Sequence, residues 1–261
     1  TGHGANLAVT GNNSGDTTAE WPRAVYVADA TGVDASHYYQ DFDGADTTHW
    51  PSFNYYNNEF AWKWANAGYL DNHSIEYNAF DSRINDLTGA YPNTGKPAGD
   101  FDDFFSVPMD LSAFTGSCSL NYFYSGATRS SSSLDMNDTL VIEYSINKSQ
   151  TWTTLATLTK GQIDNKGAVS DPYVPLSNSD WTQMSINIPS SARTPYTVFR
   201  WRYRPGILTG WDGTVSTGYK SSGNNFYMDR VFVSPFPAGV ANVKLGNLDM
   251  AVAPNPTNGD A

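Results

Sequence analysis

Between Val198 and Arg204 the chain reads Val-Phe-Arg-Trp-Arg-Tyr-Arg, so Val198, Arg200, Arg202 and Arg204 alternate with Phe199, Trp201 and Tyr203. A period of two puts neighbouring side chains on opposite faces of a strand, one wet and one apolar, and it is not the period of a helix. The same period recurs where Leu140, Ile142 and Tyr144 alternate with Val141, Glu143 and Ser145. Apolar runs bounded by turn residues predict strands over Phe104–Met109, Ser119–Tyr124, Thr139–Ser145, Thr151–Leu158, Trp181–Ile188, Tyr196–Arg204 and Phe226–Val233. One or two more are expected within 38–80. With 22 Gly, 14 Pro and 14% aromatics the chain has the punctuation of short strands between turns. The expected fold is all-β, a jelly-roll β-sandwich of two antiparallel sheets.

The 261 residues are 39% apolar and 16% charged, enough to bury one sizeable core. Residues 1–36, rich in Gly, Asn, Thr and Ala, read as an N-terminal arm or the end of a preceding module. Residues 37–236 read as the sandwich, and 237–261 as a linker into a further element. No run approaches the roughly 18–20 apolar residues of a membrane helix, and Thr1 opens no basic-then-apolar leader. The expectation is a soluble, monomeric piece of something longer, without membrane insertion. Polar connections over 81–100, 125–137, 160–180 and 205–224 are where ligands or partners commonly sit.

The 26 acidic residues against 15 basic ones give a net charge of -11, which argues against nucleic acid or an anionic membrane as partner. Only Glu20, Glu59, Glu76 and Glu143 are glutamates; the other acids are Asp, the carboxylate of turns and calcium loops. They bracket the domain: Asp41-Phe42-Asp43-Gly44 at its start, Asp100-Phe101-Asp102-Asp103 before the first clear strand, and Asp229 in the last. First and last strands of a sandwich commonly lie side by side, which would bring Asp43 to Asp229. Calcium takes six to eight oxygens, so the expected cofactor is calcium on Asp43, Asp229, Asp102, Asp103 and Asp41. The competing reading makes Asp102 and Asp103 turn residues and pairs Asp229 with a nearby base.

Other chemistry is thinly represented. Cys118 is the one cysteine, read as a buried structural thiol, and His3, His37, His49 and His73 form no recognisable pattern with it. There is no His-Glu-x-x-His helix, no Gly-x-Ser-x-Gly elbow and no phosphate loop. The chain reads as a non-catalytic module; the alternative is a glycan-active hydrolase with a carboxylate pair near 81–103. Trp50, Tyr55, Tyr56, Trp62, Trp64 and Trp211 are candidates for a sugar-stacking platform, though aromatics of this kind also build sandwich cores. Ser145-Ile146-Asn147-Lys148-Ser149-Gln150-Thr151-Trp152 resembles an Asp-box hairpin, with Asn147 and Ser149 in place of Asp and Gly, and its expected role is structural.

Phe42-Asp43-Gly44 with Trp50, then Asp102 to Ser112, the Asp-box-like hairpin, and Asn225-Phe226-Tyr227-Met228-Asp229-Arg230-Val231 occur in an order that resembles the MAM-like jelly-roll modules of secreted Bacteroidetes proteins. Those modules are similar to the cleaved-adhesin domains of gingipains. The resemblance, over about 38–235, implies a β-sandwich with structural calcium on Asp43 and Asp229 first, and on Asp102 and Asp103 second. It departs in having Asp43 where the family often has Glu. Leu248 to Gly259, with Pro254-Asn255-Pro256-Thr257-Asn258-Gly259, resembles the start of a type IX secretion C-terminal sorting domain. That implies a secreted or outer-membrane surface-attached protein that engages the type IX machinery. Asp16-Thr17-Thr18, Asp46-Thr47-Thr48 and Asp138-Thr139-Leu140 resemble the Bacteroidetes O-glycosylation signal. Modules of this kind often follow cytophagalysin-like zinc metallopeptidases. The implied role is adhesion or substrate positioning against a glycan or protein surface.

Overall fold

The computed structural model describes residues 29–44, 49–55, 60–80, 101–128, 138–205 and 223–235. Chain order begins with β1 (Val33–Asp34), β2 (Tyr39–Gln40), β3 (Ser52–Phe53), β4 (Trp62–Ala65), β5 (Ser74–Tyr77), β6 (Asp102–Phe105) and β7 (Met109–Asp110). It continues with β8 (Cys118–Thr128), β9 (Thr139–Ser145), β10 (Thr153–Leu158), β11 (Thr182–Ile188), β12 (Val198–Arg204) and β13 (Gly223–Pro235). One sheet runs β10-β9-β12-β6-β3; the other runs β11-β8-β13-β5-β4, with β2 also on β13. Every pairing within these two sheets is antiparallel. The chain crosses repeatedly between them, from β8 to β9, from β10 to β11 and from β12 to β13, as a jelly-roll sandwich requires. Among the described residues no helix is long and apolar enough to cross a membrane.

The period of two places the core. Leu140, Ile142 and Tyr144 of β9, Phe199, Trp201 and Tyr203 of β12, and Phe104 of β6 are buried against Leu120, Tyr122, Phe226, Met228, Ile75, Tyr77 and Trp62 from the other sheet. Trp50 and Trp62 lie inside this cluster at 2% and 3% exposure, so neither is available for stacking on a sugar. Trp50 packs on Phe42, Phe104 and Trp201, and Trp62 on Tyr77 and Phe104. Cys118 is buried and free, as expected.

Several boundaries differ from the sequence reading; β8 runs on to Thr128 and β13 starts at Gly223, each inside an expected connection. The run from Phe104 to Met109 is two strands, because Pro108 has no N–H to donate and the chain changes partners there. Met109 and Asp110 of β7 instead pair in parallel with β1, which lies within the expected arm. Asp138, just ahead of β9, is fully buried and accepts from the Tyr203 hydroxyl and the Gly223 N–H at 2.8 Å each, while Thr139 beside it is half-buried. Asp16 to Thr18, Asp46 to Thr48 and the tail from 236 lie outside the described residues.

The hairpin between β9 and β10 is built as its sequence suggests. Asn147 Oδ1 accepts from the Ser145 hydroxyl and the Thr151 N–H at 2.9 and 3.0 Å, and its amide donates to Thr151 Oγ1 at 2.8 Å. Lys148 and Ser149 both take left-handed backbone, φ 58° and 63°, the geometry of a tight hairpin turn.

Candidate functional site

The long strand β13 changes neighbours partway along its length. Phe226 to Met228 pair with β5, whereas Val231 and Phe232 pair with β2. Between them the register to β8 slips, with Asp229 opposite Phe123 and Phe232 opposite Asn121, so β13 carries one extra residue there. A β-bulge re-aims side chains and ends pairing. Three chain segments meet at this bulge: 41–43 leaving β2, 69–73 leading into β5, and 229–230 of β13.

Each segment brings a carboxylate. Asp229 is fully buried; its Oδ2 accepts from the Tyr69 N–H at 2.7 Å and its Oδ1 from the Arg230 N–H at 2.6 Å. Asp71 pairs through Oδ2 with the Arg230 guanidinium at 2.8 Å, while its Oδ1 is buried with no hydrogen-bond partner. Asp43 Oδ1 accepts from the N–H groups of Asn72 and His73 and lies 3.1 Å from His73 Nδ1. Asp41 Oδ1 accepts from the Asp43 N–H at 3.2 Å, shaping the turn that presents Asp43.

Electrostatics record the crowding. Burial raises Asp71, which interacts with both Asp229 and Asp43. Burial, followed by the Asp71 charge, drives Asp229 well above the usual carboxylate range despite the amide N–H groups it accepts from. Burial pushes Asp43 up, but the Asn72 N–H and the His73 ring and N–H together outweigh it and hold the carboxyl below that range. Three carboxyl groups crowd around one guanidinium, and the two most buried of them, Asp71 and Asp229, hold their protons more tightly than an ordinary aspartate does.

Backbone strain concentrates at the same place. Phe42, Leu70 and Arg230 have φ of 57°, 64° and 52°, and each precedes or follows one of the three aspartates. Left-handed backbone costs a non-glycine residue about 1–2 kcal/mol and clusters where a ligand or clamp needs it. Gly68 is equally constrained, since a Cβ there would lie 2.0 Å from Asp71 Oδ1. The three aspartates supply hard oxygen donors, and the unpartnered Asp71 Oδ1 fits a calcium ligand set. Among the described residues no three His, Cys, Asp or Glu side chains already surround one metal-sized space, because Asp43 and Asp71 are turned to His73 and Arg230.

Asp102 and Asp103 belong elsewhere. Asp103, fully buried on the outer side of the five-stranded sheet, receives Arg202 through two bonds of 2.7 and 2.8 Å and Arg200 at 3.3 Å. Arg200 also pairs with Glu143 at 2.6 Å. Asp102 Oδ1 accepts from the Tyr55 N–H at 2.8 Å, and Asp103 Oδ2 from the Tyr55 hydroxyl at 2.7 Å. A carboxylate locked between two arginines is neither a free calcium ligand nor a general acid, so Asp103 fits neither the expected metal set nor the hydrolase pair; the rest of that candidate segment, 81–100, lies outside the described residues.

The outer face of that sheet holds what the sequence did not single out. Phe105, Arg200 and Glu143 form one cross-strand row; Phe53, Asp103, Arg202 and Val141 form the next; Arg204 and Thr139 follow. Trp152 lies over Arg200 at 4.2 Å and Phe101 over Arg202 at 4.1 Å. Of the other proposed stacking residues, Trp64 is half-buried edge-on to His73, Tyr55 is exposed on this face, and Tyr56 and Trp211 lie outside the described residues. Asp71 and Arg230 were missed as well; Gly68 just before Asp71-Asn72-His73 is the available signal.

The Reelin subrepeat B family model matches residues 113–233, short of half the chain. No curated protein matches. Among solved structures the chain is similar to the K1 cleaved adhesin domain of Lys-gingipain from Porphyromonas gingivalis W83, at 13% identity and a TM-score of 0.46, covering 77% of this chain and 98% of that one. The K3 cleaved adhesin domain of the same protein gives 11% and 0.43, over 77% and 99%. The C-terminal family 22 carbohydrate binding module of Clostridium thermocellum Xyn10B gives 10% and 0.36, over 77% and 95%.

Proposed function

We propose that this chain is a non-catalytic binding module in which a calcium ion ties the two ends of a jelly-roll sandwich together. The module serves adhesion or substrate positioning for a secreted, surface-exposed protein, beside an enzyme such as a zinc metallopeptidase. The observation that carries the calcium reading is the convergence of Asp43, Asp71 and Asp229 at the β13 bulge, with the buried Asp71 Oδ1 unpartnered. Asp71 and Asp229 would hold the ion first and Asp43 third, with carbonyl oxygens or water completing the shell. A divalent cation supplies the charge these carboxylates lack.

The secretion part of the reading rests on the resemblance of residues 248–259 to a type IX sorting signal, which engages the export machinery. The non-catalytic part of the reading is supported by Asp103, whose carboxylate is taken up by Arg200, Arg202 and the Tyr55 hydroxyl and is not free to act as a general acid.

Elemental analysis after dialysis against calcium tests the site. One calcium per chain, lost in Asp71→Asn and Asp229→Asn but kept in Asp103→Asn, is the expected result. Equal calcium in all four proteins, or none in any, overturns it.

A further inference from the structure

We infer that the outer face of the β10-β9-β12-β6-β3 sheet is the module's ligand surface, and that it takes an otherwise uncharged glycan carrying an isolated carboxylated sugar. This deepens the binding-module reading and rests on it. Phe53, Tyr55 and Phe101 follow one another at the β3–β6 edge with ring centroids 6.2 and 5.2 Å apart, while Phe105, buried at 7% exposure, and Trp152, covered by Arg200, back the strip. Such a strip lies along the path of an extended chain, and sugar C–H faces pack well on aromatic planes. Tyr55 is its most open member, 43% exposed. It is also pinned at both ends, its N–H on Asp102 and its hydroxyl on Asp103, so little freedom is lost when a ring settles on it.

Charge selects the sugar. Within the sheet, Asp103 and Glu143 neutralise Arg200 and Arg202. Arg204 is exposed at the end of β12, and among the described residues it has no carboxylate partner; its guanidinium lies 5.5 Å from the Phe101 ring, which also packs against Tyr55. A guanidinium with no carboxylate partner among the described residues, beside a pinned tyrosine, suits one carboxylate on one sugar. The net charge of -11 works against a dense polyanion, yet beyond about 8 Å that repulsion is screened at physiological salt, leaving a sparsely charged glycan to the local arginine.

Calorimetric titration of the calcium-loaded protein tests this with two acid-bearing oligosaccharides, a xylo-oligosaccharide with one glucuronic acid branch and sialyllactose. Each is compared with its acid-free parent, and heparin serves as the dense polyanion. The expected result is that at least one acid-bearing sugar binds about tenfold more tightly than its parent, and that heparin does not compete. Arg204→Gln should remove that preference, and Tyr55→Ala should weaken binding to acid-bearing sugar and parent alike. Both variants keep the calcium-dependent rise in unfolding temperature, because neither touches the β13 bulge. Equal binding of each sugar and its parent by the unaltered protein, no binding of any, or full competition by heparin overturns the inference. A calcium-responsive protein that fails these titrations sinks the ligand surface alone, whereas absence of any calcium response sinks the cation reading.

Discussion

Asp103 and Asp71 are both aspartates paired with arginine, yet their surroundings give them opposite work. Asp103 neutralises Arg200 and Arg202 at the centre of a cross-strand network. Removing it leaves guanidinium charge without its partner, so Asp103→Ala should destabilise the fold by about 3 kcal/mol in chemical denaturation, the low end for a broken buried pair because Arg202 still reaches solvent. The same variant should keep its calcium response. Asp71→Asn should do the reverse: it removes one charge from a crowded trio, leaves the calcium-free protein no less stable, and loses the calcium-dependent gain. The sequence could not separate these cases. Asp102-Asp103 stands among turn residues just as Asp41-Phe42-Asp43 does, and only the strand register reveals which acids oppose arginines. Asp71 was missed because its partners lie far away in sequence, at Arg230 and Asp229.

Among elements, β9 was legible because alternate side chains are buried, so that a one-residue slip would turn them to water, whereas β8 and most of β13 are buried on both faces and were legible as apolar runs bounded by turns. The short strands β1, β2 and β3 have two residues each, too few for any period to register. Trp50 and Trp62 were readable as core or as platform, and burial decided for core. The β9–β10 hairpin was legible from local hydrogen-bonding chemistry, and its departures from the Asp-box pattern have a cost. Ser149 sits at φ 63° where the resembled motif has glycine, and its hydroxyl is buried without a partner. Ser149→Gly should therefore raise stability by about 0.5–1 kcal/mol, a rise of roughly 1–4 °C in unfolding midpoint. The Ser149 N–H still donates to Ser145 Oγ in that variant, so the turn is kept. A fall in midpoint would show that the serine hydroxyl contributes to the turn.

At the scale of the whole molecule, β13 joins everything. It is the central partner of β8, β5 and β2, and its bulge collects carboxylates from segments near both ends of the described chain. Two-sheet architecture was readable from periodicity alone, whereas the meeting of residues 43, 71 and 229 depends on strand order, which periodicity does not encode. Thermal unfolding of the purified protein in EGTA and in excess calcium tests the central claim most directly. An ion present at about 100 times its dissociation constant should add about 2.7 kcal/mol, roughly 5–10 °C in midpoint, and Asp229→Asn should abolish the shift. Identical midpoints in EGTA and calcium, from protein that elemental analysis shows to be metal-free after EGTA, would contradict the account.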